Sequence, residues 1–584
     1  MIKTRIVYLC MAILLVLFAV IYAVLPNIGI ETKKTEFSYE NLVFNKNKVT
    51  TVDIEIAEED WADMLENAAE EELKQATITV NGKRVENVAI RTKGNLSLRS
   101  VVNSDSDRYS LKIDFDYYDN TQSLYGLKKL NLNNNYSDTT LMREYISYEL
   151  MEQMGLPTPA HSYMYVTVNG EERGLFLGVE AVDETFLANN YGSNDGFLFK
   201  PDGTGSDLQY ISDDLADYTG IGLKTNEGNS DESKLIEMLD AINNGGDIEQ
   251  YIDVDEMLRY FAVNTAIVNL DSYQGNMKHN YYLYEQNGVF SIIPWDYNMA
   301  FGGFGAGRMG GENDQNSANT STNRQRPFVQ NNEQLAQADG GDKQQQGGFF
   351  NMGMGMSGNL IDESAINFSV TTPVSGTTLE ERPLLNALLA NEEYRAKYES
   401  YLEKLATTYL TEDYIQSITK NLAVLLTTYV EADPTKFSTT EQFLVAVEGD
   451  NSLPEFAKQR SDSILKQLSG ELVVEASTTA NMPAPNENGA MPENFDPSQL
   501  PEDFDPAQGP PFNREGNGSG EGQNGEPMQP PGGNRFKMGM PGANGEASNQ
   551  ATVIDKNTVL TVMVSLVLLL LAILFVFKFK RRGR

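Results

Sequence analysis

Two long tracts with too few aliphatic side chains to order themselves decide how much of this 584-residue chain can fold. Residues 303–357 are dominated by Gly, Asn, Gln and Met, and residues 477–552 by Pro, Gly, Asn and Glu. Such compositions cannot bury enough surface to offset the conformational entropy lost on ordering. A core must therefore be built from 37–302 and 358–470. The first tract is then a low-complexity insert within one domain, and the second the body of a flexible stalk (471–553) behind it.

The two ends carry a different constraint. Residues 6–30 contain no charge and follow Lys3 and Arg5; residues 557–577 are again uncharged and precede Lys578, Lys580, Arg581, Arg582 and Arg584. Each is long enough to cross about 30 Å of hydrocarbon as a helix. Basic flanks face the cytoplasm, so the expectation is a chain held in membrane lipid at 1–30 and 554–577. The tail 578–584 is then cytoplasmic and the central region extracytoplasmic. Residues 6–30 read either as an uncleaved anchor or as a cleaved signal peptide. A formal charge of -37 argues against nucleic acid as a partner, because phosphates attract Lys and Arg. Cys10 is the only cysteine, which excludes an intramolecular disulfide. His161 and His279 are the only histidines, too few for a multi-histidine metal centre.

Periodicity in the remaining sequence predicts an α+β domain. Residues 49–56 alternate like a half-buried strand and 58–74 read as an acidic helix. Asn81-Gly82, Asn169-Gly170 and Asn287-Gly288 are hairpin turn signals between apolar runs. Thr139–Met154 has apolar residues at helical spacing and ends at Gly155 and Pro157, and Val263–Leu270 reads as a further helix. From Leu379 to Leu468 helical faces dominate.

Three polar residues near the last hairpin suggest chemistry. Asp271-Ser-Tyr-Gln-Gly-Asn276 follows an apolar run, and a hairpin (His279–Glu285, Val289–Ile293) then ends at Pro294-Trp295-Asp296. Phosphoryl transfer needs a carboxylate near the attacking hydroxyl, plus carboxylate and amide oxygens to hold Mg²⁺ against nucleotide phosphates. Asp271 fits the first need, and Asn276 and Asp296 the second. The same residues also read as a helix cap, a turn residue and a strand end. His279 is expected to pack or hydrogen-bond within the hairpin.

These motifs, Asn269-Leu270-Asp271, Asn280-Tyr-Tyr-Leu-Tyr284 and Ile293-Pro-Trp-Asp-Tyr-Asn298, resemble the signature region of the CotH (spore coat protein H) kinase family. So do Ile90-Arg-Thr-Lys-Gly-Asn-Leu-Ser97, Val168-Asn-Gly-Glu-Glu-Arg-Gly-Leu-Phe176 and Asp195-Gly-Phe-Leu-Phe-Lys200, in family order over roughly 40–470 outside the insert. The resemblance implies an atypical protein-kinase-like, two-lobed fold, ATP, and Mg²⁺ or Mn²⁺. It also implies phosphorylation of Ser or Thr on surface or spore-coat proteins. By position Asp271 would be the catalytic carboxylate, with Asn276 and Asp296 on the metal. The chain departs from the kinase pattern in having no His-Arg before Asp271, Tyr-Asn after Asp296, and no three-glycine spacing near Gly94.

For the phosphate-gripping half, a strand lysine needs an acid on a facing helix. Lys112, in the alternating strand Tyr109–Phe115, is the first choice, with Arg91 and Lys93 as competitors and Glu144 or Glu149 as the positioning acid. Glu180-Ala181-Val182 falls where a kinase hinge would meet adenine, and equally where an ordinary helix starts. The competing function is a non-catalytic surface binding or assembly module on the same fold.

Overall fold

The structure is a computed structural model, and it describes residues 38–226, 233–304 and 360–474. The apolar segments 6–30 and 557–577, nearly all of the insert and the stalk from residue 475 lie outside these residues. Among the described residues no helix is long and apolar enough to cross a membrane.

Seven strands close into a barrel: β1 (Thr50–Ile56), β2 (Lys74–Val80), β3 (Lys83–Lys93), β4 (Ser110–Asp114), β5 (Lys129–Asn133), β6 (His161–Val168) and β7 (Glu171–Glu180). Their order is β1-β2-β3-β4-β5-β7-β6, and a parallel β1–β6 pairing completes the ring. Period-two alternation sends Val52, Ile54, Ile78, Ile90, Ile113, Leu130, Leu132 and Val166 into one apolar interior. The opposite face of β3, β4 and β5 is polar. There Arg91 pairs with Lys112 and Lys112 with Asn131 in register.

A second sheet, ordered β11-β10-β8-β9, comprises β8 (Phe197–Pro201), β9 (Ile221–Leu223), β10 (Tyr281–Gln286) and β11 (Val289–Pro294). All three Asn-Gly turns form as the sequence signals. Asn81 and Gly82 take φ of +47° and +82°, and the other two pairs are alike, the left-handed geometry that matches strand twist. The helices that matter below are α1 (Arg143–Gln153), α2 (Val254–Ala266), α3 (Pro383–Ala390), α4 (Glu392–Lys404), α5 (Glu412–Ala432) and α6 (Leu453–Leu468). Asp253, Thr411 and Ser452 cap α2, α5 and α6 through side-chain oxygens. These helices and both faces of the second sheet share a large core with α1 and the outer face of β7.

Three helix boundaries differ from the sequence reading. The acidic helix stops at Glu66 rather than 74, because Lys74 already pairs with Ile90 in the barrel. Helix α1 starts at Arg143 rather than Thr139, since Asp138 and Thr140 build a turn that receives the Arg143 amide. The run Val263–Leu270 leaves the helix after Ala266. Val268 adopts φ of +50°, and the Ile267 and Val268 carbonyls accept from Phe301 and Gly302 instead. Long-range pairing overrides local propensity in the first and third cases, and a side-chain turn does so in the second.

One buried ion pair ties the barrel to the C-terminal helices. Arg108 Nη1 donates to both oxygens of Asp433 at 2.9 and 3.1 Å, and Asp433 also accepts from the Leu175 amide. Both side chains are 3 % exposed or less. Removing one partner leaves the other charge buried alone, so Asp433→Ala is expected to cost about 3–5 kcal/mol in chemical denaturation. A loss below about 1 kcal/mol would show that the pair is dispensable to the fold.

Candidate active site

The site assembles where the polar face of the barrel meets α1 and the end of β11. Trp295 follows β11 and stands edge-on to Tyr282 of β10, centroids 5.7 Å apart. Asp296 then takes φ of +56°, the left-handed region, which Asp tolerates better than β-branched residues do. Its amide donates to Tyr148 Oη at 3.2 Å, and Tyr148 donates to Glu144 Oε1 at 3.0 Å. The other Glu144 oxygen accepts from Asn133 Nδ2 at 2.9 Å, and Asn133 Oδ1 accepts from Lys93 Nζ at 2.8 Å. One continuous network therefore links β3, β5, α1 and the end of β11. The Lys93 ammonium also lies 5.6 Å from the Trp295 ring centroid.

Charge in this network is imperfectly balanced. Burial, reinforced by Asp296, pushes the Glu144 carboxyl up to about 7 despite Asn133, Lys93 and Tyr148. Burial also raises Asp296, with Asp271 adding repulsion and Lys93, His279 and Lys200 opposing it. Burial lowers the Lys93 ammonium even though Asp296 and Glu144 favour its charge.

Glu144 gives a pH-dependent stability with a definite sign. Its folded value is raised above the ordinary 4.5, so the ionised form is disfavoured in the fold. The penalty is absent below pH 4.5, grows as pH rises to about 7, and is constant above that. The melting temperature of the wild type is thus expected to fall relative to Glu144→Gln across this window. A pH-independent difference would contradict the raised value.

Asp271 sits in the loop after α2. His279 Nε2 approaches its Oδ1 at 2.6 Å, and Asn280 Nδ2 donates to its carbonyl at 2.9 Å and its Oδ2 at 3.1 Å. Burial lowers the His279 imidazole, but the hydrogen bond and charge of Asp271, helped by Asp202 and Asp296, outweigh it and leave the pKa raised. The loop is braced from behind. Arg382 donates to the carbonyls of Tyr273 at 2.7 Å and Gly275 at 2.6 Å, and Gln274 Nε2 donates to Pro373 O at 2.7 Å.

The sequence candidates separate accordingly. Lys93, Glu144, Asp271 and Asp296 share one electrostatic neighbourhood. Lys112 lies on the intervening strand β4 but two residues further along than the Lys93 register, beside Arg91 and Lys129, and burial with these cations and Lys93 lowers it to about 8. Arg91 is bound to Glu71 and to Thr92 O. Glu149 points elsewhere on α1, to Lys46 and His161, and is held at about 2: burial opposes the shift, but the His161 hydrogen bond and Lys46 outweigh it. Glu180 is buried against Tyr39 and the Ala160 amide, and the Ala181 amide bonds Lys129 O. Val182 packs in the main core. Asn276 is exposed and lies against Gly376; it is Asn280 that hydrogen-bonds Asp271. His279 makes its bond across to Asp271 rather than within the hairpin. Sequence reasoning did not single out Asn133, Tyr148, Asn280, Lys200 or Asp202. Only Asn280 and Lys200 carried a signal, as members of quoted motifs.

Residues 90–339 and 342–464 match the family described as CotH kinase protein, well over half of the chain and all of the site from Lys93 to Asp296. Inner spore coat protein H of Bacillus subtilis (strain 168) is 30% identical over 189 residues, 30% of this chain and 51% of that protein. Inner spore coat protein H-like protein of the same organism is 37% identical over 59 residues, 10% of this chain and 19% of that protein. The chain thus spans about half the length of the first relative and about a fifth of the second. On the family match, the chain belongs to the CotH kinase protein family.

Proposed function

We propose that this chain is a protein kinase that transfers the γ-phosphoryl group of ATP to Ser or Thr hydroxyls of extracytoplasmic proteins, surface or spore-coat proteins among them. The observation that carries the reading is the network running from Lys93 through Asn133, Glu144 and Tyr148 to Asp296, with the His279-bound Asp271 in the same electrostatic neighbourhood. The barrel with α1 acts as the nucleotide-holding lobe of a kinase-like fold, and the second sheet with the later helices as the other lobe. The first curated relative's name, a spore coat protein, supports a surface substrate. The apolar segments 6–30 and 557–577 anchor the chain, with the central region outside and the tail 578–584 inside.

The donor set fits Mg²⁺ or Mn²⁺. Among the described residues nothing hydrogen-bonds the Asp296 carboxylate, and burial and Asp271 raise its pKa. A hard dication suits carboxylate and amide oxygens of this kind. Asp296 and Asn280 would hold it, with Asn280 taking the role that spacing gave to Asn276. Bound there, the cation would neutralise phosphate charge as the nucleotide approaches. Lys93, oriented by Asn133 and Glu144, grips the phosphates. Asp271 accepts the hydroxyl proton as the new O–P bond forms, while the bond from the γ-phosphorus to the bridging oxygen breaks and ADP leaves. His279 and Asn280 fix the direction of the Asp271 carboxylate.

Incubating the detergent-purified full chain with γ-labelled ATP, Mg²⁺ or Mn²⁺ and surface-protein extracts tests the reading. Metal-dependent label on protein Ser or Thr is expected. Absence of label with both metals, in the chain itself and in the extract, would contradict it.

A further inference from the structure

Lys200 approaches the site from the second sheet. It lies on β8, which pairs with β10 through Phe199 and Leu283, and its ammonium is 5.6 Å from the Tyr282 ring centroid. Tyr282 in turn meets Trp295, which carries Lys93 on its ring. Two lysines from two different sheets thus sit on one aromatic pair, and both feel the Asp296 charge. Lys93 is engaged by Asn133 and Glu144. Among the described residues Lys200, which is half-buried, has neither an ion pair nor a hydrogen bond. Burial, with Lys93 and Lys224, lowers its pKa, while Asp296 and Asp202 pull the other way. An arriving anion would relieve that cost.

Of the cations that act on Lys200, Lys93 is engaged and Lys224 is exposed. Lys278 is bound to Asp207 at 2.5 Å. The loop Asp271–Asn276 contains no Lys or Arg, and Tyr273 within it is buried with its hydroxyl donating to Asp207 O. A transferring phosphoryl group spreads charge over three oxygens and is stabilised by cations placed in advance.

We propose that Lys200 is a catalytic residue of this site, its ammonium binding the oxygens of the transferring γ-phosphoryl group while Lys93 holds the rest of the polyphosphate from the barrel. This rests on the kinase reading above. The competing role is packing of the lysine stem on Tyr282, which would matter for folding alone.

Lys200→Gln keeps most of the stem without the charge, and Lys200→Arg keeps the charge. In the full chain, Lys200→Gln is expected to lower kcat about 10²-fold while KM for ATP stays within about threefold. The wild type is expected to bind Mg²⁺-ADP more tightly when aluminium fluoride, a mimic of the phosphoryl in flight, is added. Lys200→Gln should lose that tightening yet keep its affinity for ADP and its ligand-free melting temperature. Lys200→Arg should recover part of both turnover and tightening. Unchanged kcat in Lys200→Gln, or equal losses of ADP and mimic affinity, would overturn the assignment and leave the kinase reading standing. A wild type that neither transfers phosphate nor binds Mg²⁺-ATP would remove both.

Discussion

Asp296→Asn is expected to abolish phosphotransfer, with a loss on the order of 10³-fold or more, while the fold becomes no weaker. The two side chains have nearly the same shape, but an amide cannot supply the charge that holds a dication. Without metal, burial and Asp271 already disfavour the ionised carboxylate, as its raised pKa records. A carboxyl raised in the fold costs stability once pH exceeds its unfolded value, so removing the charge should raise the ligand-free melting temperature at neutral pH. Glu144 should respond as well. Asp296 is the largest charge pushing it up after burial itself, so its pKa should drop in the variant. Retained activity with unchanged metal dependence would show that Asp296 is a strand-end residue and nothing more.

Asp271→Asn should fail in a different way. The amide can still meet Asn280, but it cannot accept a proton from the attacking hydroxyl. A kcat lower by roughly 10²–10⁴-fold is expected, with affinity for Mg²⁺-ATP changed only a fewfold. His279 offers an independent readout. The hydrogen bond and charge of Asp271 raise its imidazole against burial, so its pKa should fall in this variant, as followed by NMR. If Asp271 served only as a turn residue, its loss would cost about 0.5–2 kcal/mol of stability and leave any turnover intact.

Much of this arrangement is legible in the sequence. The hairpins are, because an Asn-Gly pair between apolar runs needs only local physics to turn. The pairing of Asp271 with Asp296 is, because a loop and a hairpin separate them and both ends of that hairpin carry sequence signals. The choice among the cations is not. Strand β3 runs on past Arg91 to Lys93 because its partner residues on β4 continue to Ser110. Those two residues bring the lysine to Asn133 and Glu144, while Lys112 is paired with Arg91 two residues further along β4, among cations. Nor could spacing choose between Glu144 and Glu149. They lie five positions apart on α1, and only the docking of that helix decides which one faces the site and which one meets His161. That Asn280, and not Asn276, hydrogen-bonds Asp271 has a related reason. The Asp271 loop is tied down by Arg382, which is more than a hundred residues away and lies beyond the insert.

The melting temperature of the full chain with and without Mg²⁺-ATP tests the phosphotransfer site most directly, in the wild type and in Asp296→Asn. A ligand that binds only the folded state at a hundred times its Kd adds about 2.7 kcal/mol. The wild type is expected to show a clear upward shift that needs metal and nucleotide together, and Asp296→Asn to show none. A wild type that does not shift, or a variant that shifts equally, would contradict a metal-nucleotide site at Asp296.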